Sequence, residues 1–134
     1  MIKIVILGNP ATKKNSMQIC KNKYNGKTYL IQSKAYRSYE KEFLKQIGIF
    51  YHQGHETSVI EHSINLKCVY YMQTRRKVDL VNLLNATCDC LVKAKILADD
   101  NSLIIRSVDG SRVEYDKDCP RVEIYIEKFN FTFL

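Results

Sequence analysis

From Ile60 to Met72 the chain alternates, with Ile64, Leu66, Cys68, Tyr70 and Met72 on one side and Asn65 and Lys67 among those opposite. A period of two belongs to a half-buried β-strand. Beyond a short basic connection the period lengthens. Leu83, Leu84, Thr87, Leu91 and Ala94 form one apolar stripe, which predicts a helix from about Leu80 to Lys95. A strand with one apolar face, followed at once by a helix with an apolar stripe, has to bury both against each other or against a second layer.

The remaining segments extend that pattern. Ile2 to Leu7 is a β-branched run that predicts a strand. Gly8 to Asn15 breaks it with turn formers and two lysines. Met17 to Lys21 and Lys27 to Ile31 flank Tyr24-Asn25-Gly26, a hairpin signal. Ser33 is placed to cap a helix from about Lys34 to Ile47, with Tyr36, Tyr39, Phe43 and Ile47 on its apolar side. The polar stretch from Tyr51 to Ser58 reads as a loop. Leu103 to Val108 reads as a strand, and Asp109-Gly110 as a turn across which Arg112 to Tyr115 pairs back. Arg121 to Glu127 alternates as a last strand, and Phe129, Phe131 and Phe133 alternate in an apolar tail suited to a partner subunit. The expectation is an α+β fold, a two-layer sandwich of a mixed or antiparallel sheet and two main helices, in one domain of 134 residues.

Charge is divided along the chain. Residues 1 to 78 carry fourteen Lys and Arg against four Glu and no Asp, whereas residues 79 to 134 carry seven basic against ten acidic residues. A basic surface beside an acidic cluster suits a polyanion held by its backbone. Apolar runs are too short to span a bilayer, and the N-terminus lacks a signal-peptide pattern, so a cytoplasmic, membrane-free protein is expected. Five scattered cysteines with no Cys-x-x-Cys pair argue for reduced, mostly buried thiols rather than zinc or disulfides.

The acids concentrate around the second helix. Asp79 stands at its start, Asn82, Asn85 and Asp89 follow at steps of three and four on one face, and Asp99-Asp100-Asn101 follows its end. Oxygen donors from separate elements, converging on one point, are what magnesium requires. Each residue also has an ordinary reading. Asp79 could cap the helix, Asp89 could pair with Lys93 one turn on, and Asp99-Asp100-Asn101 could be a solvated turn.

Taken in order, Asp79-Leu80-Val81-Asn82-Leu83-Leu84-Asn85, Asp89-Cys90-Leu91 and Asp99-Asp100-Asn101 resemble the signature of the RusA-type Holliday junction resolvases. Pro10 with Lys13-Lys14-Asn15, and Ser33-Lys34-Ala35-Tyr36 entering a helix, resemble that family's opening. The resemblance implies a homodimeric endodeoxyribonuclease that cuts four-way junctions and other branched DNA with Mg2+, or Mn2+, in a bacterial or phage setting. It implies Asp79 and Asp100 as metal ligands, Asp99 and Asp89 as further acids of the site with Asp99 also a ligand, and Asn82 and Asn85 in support. Val81 stands where most members have a third metal-binding aspartate, and Asn85 where many have a catalytic lysine. Those departures leave open a junction-binding relative that cuts weakly or not at all.

The cations best placed to hold phosphates beside these acids are Lys13, Lys14, Arg75, Arg76 and Lys77, with Asn15. Tyr24 and Tyr29 are candidates for stacking on DNA. His52 and His55 lie in the expected loop without companion ligands, and no nucleophile–base arrangement suggests covalent catalysis. A third reading, a basic module for single-stranded nucleic acid, needs aromatics along one sheet face. Tyr70 and Tyr71, as strand neighbours, point to opposite faces.

Overall fold

The computed structural model describes residues 1–13, 17–52 and 58–130. The elements are β1 (Ile2–Leu7), β2 (Met17–Lys21), β3 (Thr28–Gln32), α1 (Lys34–His52), β4 (Ile64–Met72), α2 (Leu80–Lys93), β5 (Ile105–Ser107), β6 (Arg112–Tyr115) and β7 (Arg121–Lys128). β2 and β3 form their own antiparallel ribbon. The other five strands make one mixed sheet in the order β1-β7-β4-β5, with β6 also paired to β4. The alternation of β4 explains its central place. Ile64, Leu66, Cys68 and Tyr70 have no exposed surface, and Ile4 and Ile6 of β1 and Val122, Ile124 and Ile126 of β7 join them in the core beneath the helices. The architecture is the two-layer α+β arrangement expected from the sequence.

β4 begins at Ile64 rather than Ile60. Its neighbour β7 ends at Lys128, opposite Ile64, so earlier residues have no β7 partner. Ile60 instead bridges to Leu97, with hydrogen bonds from the Ile60 amide to the Ile96 carbonyl (2.9 Å) and from the Ala98 amide to the Ile60 carbonyl (3.0 Å). This bridge pins the segment after α2 against the edge of the body.

α1 starts where Ser33 predicts, its hydroxyl accepting the Tyr36 amide at 3.2 Å. It runs on to His52, beyond Ile47 and into the stretch read as a loop. Gly48 costs a helix only about 1 kcal/mol, so the helix runs through it, and the exposed Ile49 gave no core-facing signal for the continuation.

α2 stops at Lys93, two residues short of expectation. Lys95 adopts a left-handed φ of 60°, and the Lys95 and Ile96 amides donate back to the Val92 and Leu91 carbonyls, each at 3.0 Å. A left-handed lysine costs about 1–2 kcal/mol. Burying Ile96 and Leu97 immediately after it contributes roughly 1.5–3 kcal/mol each, so the sharp stop is favoured. Within α2, Leu83, Ala86, Thr87, Cys90 and Leu91 are buried, whereas Leu84 and Ala94 are only half-buried. Thr87 earns its core position by donating to the Leu83 carbonyl (3.1 Å) and sharing a 2.7 Å hydrogen bond with the Tyr70 hydroxyl.

The hairpin expected across Asp109-Gly110 does not form. β5 and β6 lie end to end along one edge of β4, both parallel to it. The turn at Gly110 (φ 86°) resets the register instead of reversing the chain. Asn65 fills the gap, its amide oxygen accepting from the Asp109 amide (2.9 Å) and the Ser107 hydroxyl and its amide nitrogen donating to the Asp109 carbonyl (3.2 Å). The Ser111 hydroxyl accepts the Cys68 amide at 3.0 Å. β5 is accordingly three residues long rather than six, and β7 runs one residue past Glu127.

Cys68 and Cys90 are buried, Cys20 and Cys88 half-buried and Cys119 exposed, all as free thiols. Burial pushes Cys68 up to about 12 and Cys90 up to about 11, which makes them inert. Among the described residues no helix is long and apolar enough to cross a membrane. The tail phenylalanines Phe131 and Phe133 lie outside the described residues, as does His55.

Candidate functional site

α2 carries the acidic face because its opposite face is committed to the core. Leu83, Cys90 and Leu91 face inward, which fixes the rotation of the helix and turns Asn82, Asn85 and Asp89 the other way. The Ile60 bridge and buried Leu97 hold the chain just after α2, so the following turn carries Asp100 back to the same place. Asn82, Asn85, Asp89 and Asp100, joined by Lys13 from the loop after β1, line one cavity of about 430 Å³. The half-buried Cys88 thiol, next to Asp89 in the chain, feels the charge of this site. Burial, then the negative charges of Asp100 and Asp89, push it up to about 12.

Among the described residues lining this cavity, Lys13 is the cation. Its ammonium pairs with Asp89 and lies 5.8 Å from the centre of the Tyr36 ring. Tyr36 is buried on α1, with its hydroxyl 3.9 Å from the Cys90 sulfur, and burial is the main cause that raises its pKa. Thus Lys13 bridges the two helices. Asp89 pairs with Lys13 and not with Lys93, whose ammonium binds Glu40 of α1 at 2.9 Å.

Asp79 occupies the cap position of α2, yet its carboxylate does not cap the helix. One oxygen accepts from the Asn82 side-chain amide at 3.0 Å, which places Asp79 one hydrogen bond from the cavity. Asp99 is turned into its own loop. Its two oxygens accept the Asp100 amide (2.7 Å) and the Asn101 side-chain amide (3.1 Å). Neither Asp79 nor Asp99 is among the residues lining the cavity.

The donors are therefore two carboxylates and two side-chain amides. Among the described residues, no three His, Cys, Asp or Glu side chains come together as a metal cage. Val81, in the first turn of α2, is 65% exposed and offers no oxygen. Hard oxygens of this kind suit a magnesium ion that keeps several waters and is completed by substrate phosphate, the usual way proteins hold it. They do not suit an all-protein site.

Of the other cations named from the sequence, Lys14 and Asn15 lie outside the described residues. Arg75, Arg76 and Lys77 are exposed in the connection before Asp79. Arg75 and Arg76 line a second cavity, of about 370 Å³, with Met72, Thr74 and the three residues Val113 to Tyr115. There the Arg75 guanidinium stacks 4.1 Å from the centre of the Tyr115 ring. Sequence reading missed Tyr115, because its neighbourhood depends on β6 running parallel to β4. Tyr24 is fully exposed and Tyr29 about half, both on the β2–β3 ribbon.

On the sheet face away from the helices, Arg121 covers the Tyr71 ring at 3.8 Å, and Lys3 and Lys67 lie over Tyr125 at 5.4 and 5.1 Å. Arg121 is locked by Asp116 and Glu123 and largely covered, and Lys3 and Lys67 present no planar group, so this face makes a poor stacking platform for a single strand.

No curated protein matches the chain. The family model described as endodeoxyribonuclease RusA matches residues 8–127, a span that includes Lys13, both helices, the Asp99–Asp100 turn and most of β7. The chain belongs to the RusA endodeoxyribonuclease family.

Proposed function

We propose that the protein is a divalent-metal-dependent endodeoxyribonuclease that cuts four-way junctions and related branched DNA, acting as a homodimer. The observation that carries this reading is the cavity in which Asp89 and Asp100, from a helix and the turn beyond it, meet Asn82, Asn85 and Lys13. Family membership supplies the reaction class. Resolving a four-way junction takes two symmetric cuts, and a twofold dimer offers two equivalent sites.

Asp100 and Asp79 are assigned to hold the ion, with Asn82 oriented by its hydrogen bond to Asp79. Bound magnesium, or manganese in its place, polarises a phosphoryl oxygen and lowers the pKa of an attacking water. Lys13 is assigned to the phosphate. When the backbone enters, its ammonium would exchange Asp89 for a phosphate oxygen, leaving the Asp89 carboxylate free to accept a proton or a hydrogen bond. Asp99 holds the turn that presents Asp100, through the two amides it accepts. The cations of residues 1 to 78 hold the DNA arms.

A second reading is favoured by exposed Val81 and by the lack of a three-acid group among the described residues. In it the protein binds junctions and cuts them slowly or not at all. Incubating end-labelled four-way junctions with the protein and magnesium separates the two. Paired nicks near the branch point, abolished by chelator, support the nuclease. A shifted but intact junction supports the binder.

A further inference from the structure

The cavity at the C-terminal ends of β4 and β6 has a lining that phosphate contacts do not explain. Arg75 and Arg76 bring positive charge, but Tyr115 brings an aromatic ring, and Met72 and Val113 bring apolar surface. A site built for backbone phosphate alone gains nothing from the last three. The residue that organises the lining is Tyr115. Tyr115 is 39% exposed, and the Arg75 guanidinium lies over its ring. The platform is also firmly held. β4 and β6 pair through Met72 and Tyr115, the Asp116 amide donates to the Met72 carbonyl at 2.9 Å, and the Gln73 amide donates to the Asn9 side chain at 2.9 Å. Glu114, the strand neighbour of Tyr115, turns its side chain to the opposite sheet face, where it pairs with Arg112 at 2.9 Å, so its carboxylate does not oppose a ligand on the Tyr115 side.

A planar guanidinium on an aromatic ring, apolar neighbours and an adjacent arginine match one ligand class, a nucleotide with its base out of the helix. The base face stacks on the Arg75–Tyr115 pair beside the apolar Met72 and Val113, and Arg76 takes the attached phosphate. We propose that this cavity receives an unstacked nucleotide from the branch point of the DNA, and so supplies the preference for branched over continuous duplex. Arg76 lies three residues before Asp79 in the chain, so such a nucleotide would set the register of the strand approaching the Asp100 cavity. A continuous duplex hides its base faces and must be unstacked at a cost of a few kcal/mol, which a branch point has largely met already. The inference rests on the proposed action on branched DNA and adds the element that selects for it.

The test uses four-way junctions with 2-aminopurine placed at the branch point or within an arm, bound by the full-length protein in chelator so that nothing is cut. The expected result is a fluorescence change on binding at a branch-point position and none in the arm. Arg75→Lys, which keeps the charge but loses the plane, and Tyr115→Ala should each remove that change. Each should lower the preference for junction over duplex about 5- to 150-fold, the range that base stacking supports. Tyr115→Phe should retain both. If Arg75→Lys and Tyr115→Ala leave the signal and the preference intact, the cavity is not a nucleotide site, although the nuclease reading stands. If the unmodified protein binds junction no better than duplex, both fall together.

Discussion

Lys13 and Asp89 form an ion pair inside the acidic cavity, with each side chain about one-third exposed. The pair leaves Asp89 neutralised by the protein's own ammonium while DNA is absent, and gives an incoming phosphate a cation already in place. A half-exposed pair of this kind contributes about 1 kcal/mol at most, so a charged phosphate backed by a metal ion can displace it.

Removing the ammonium should therefore separate metal binding from DNA binding. Lys13→Met is expected to bind manganese up to about fivefold more tightly without DNA, the limit set by losing a pair of that strength. It should bind junctions more weakly, with a shallower dependence of log affinity on log salt. Calorimetric titration with manganese and band shifts over a salt series measure the two effects. Equal metal affinity in both proteins would show that the pair does not compete with the ion.

Val81 is exposed and makes no core contact that an aspartate would lose. Val81→Asp should leave the melting temperature nearly unchanged and add a third carboxylate to the face that carries Asn82 and Asn85. Ligand charge tunes metal affinity strongly, so the metal requirement for cleavage should fall by roughly tenfold or more. A variant with unaltered metal dependence would place residue 81 outside the site.

Arg121 ties the open sheet face together by binding Glu123 at 2.8 Å and Asp116 at 2.9 Å. Its guanidinium holds both carboxyls below their ordinary values, 4.5 for Glu123 and 3.8 for Asp116. A carboxyl with a depressed folded-state pKa stabilises the fold above its unfolded value, and that contribution disappears as pH falls through the folded one. Glu123→Gln should therefore melt below the unmodified protein at pH 7. The gap should persist down to about pH 4.5 and close at lower pH. A gap that is constant from pH 7 to pH 3 would exclude this linkage.

Much of the architecture was legible because strong periods and buried faces coincide. β4, α2 and β7 each announce their inner face by spacing, and Ser33 marks the start of α1 as observed. The departures have local causes. β5 and β6 were read as a hairpin because Asp109-Gly110 looks like a reversal, whereas Asn65 and Ser111 supply hydrogen bonds that let the chain continue along β4. The stop of α2 escaped notice because a lysine, not a glycine, takes the left-handed position. Within the site, helical spacing placed Asn82, Asn85 and Asp89 on one face, and the cavity brings Asp100 to them. Spacing could not show that Asp99 spends its oxygens on its own turn, nor that Lys13 rather than Lys93 pairs with Asp89. Those depend on loop geometry and on contacts between residues distant in sequence.

The most direct measurement is cleavage and binding of the same four-way junction by Asp100→Asn beside the unmodified protein, in magnesium. Asp100 lines the cavity and belongs to an exposed turn, so the substitution should leave the fold intact. The expected result is loss of nicking by at least about a hundredfold, as for removal of a group that stabilises the transition state, with junction affinity equal or higher. Nicking by Asp100→Asn at the unmodified rate would contradict the assignment of this cavity as the catalytic centre.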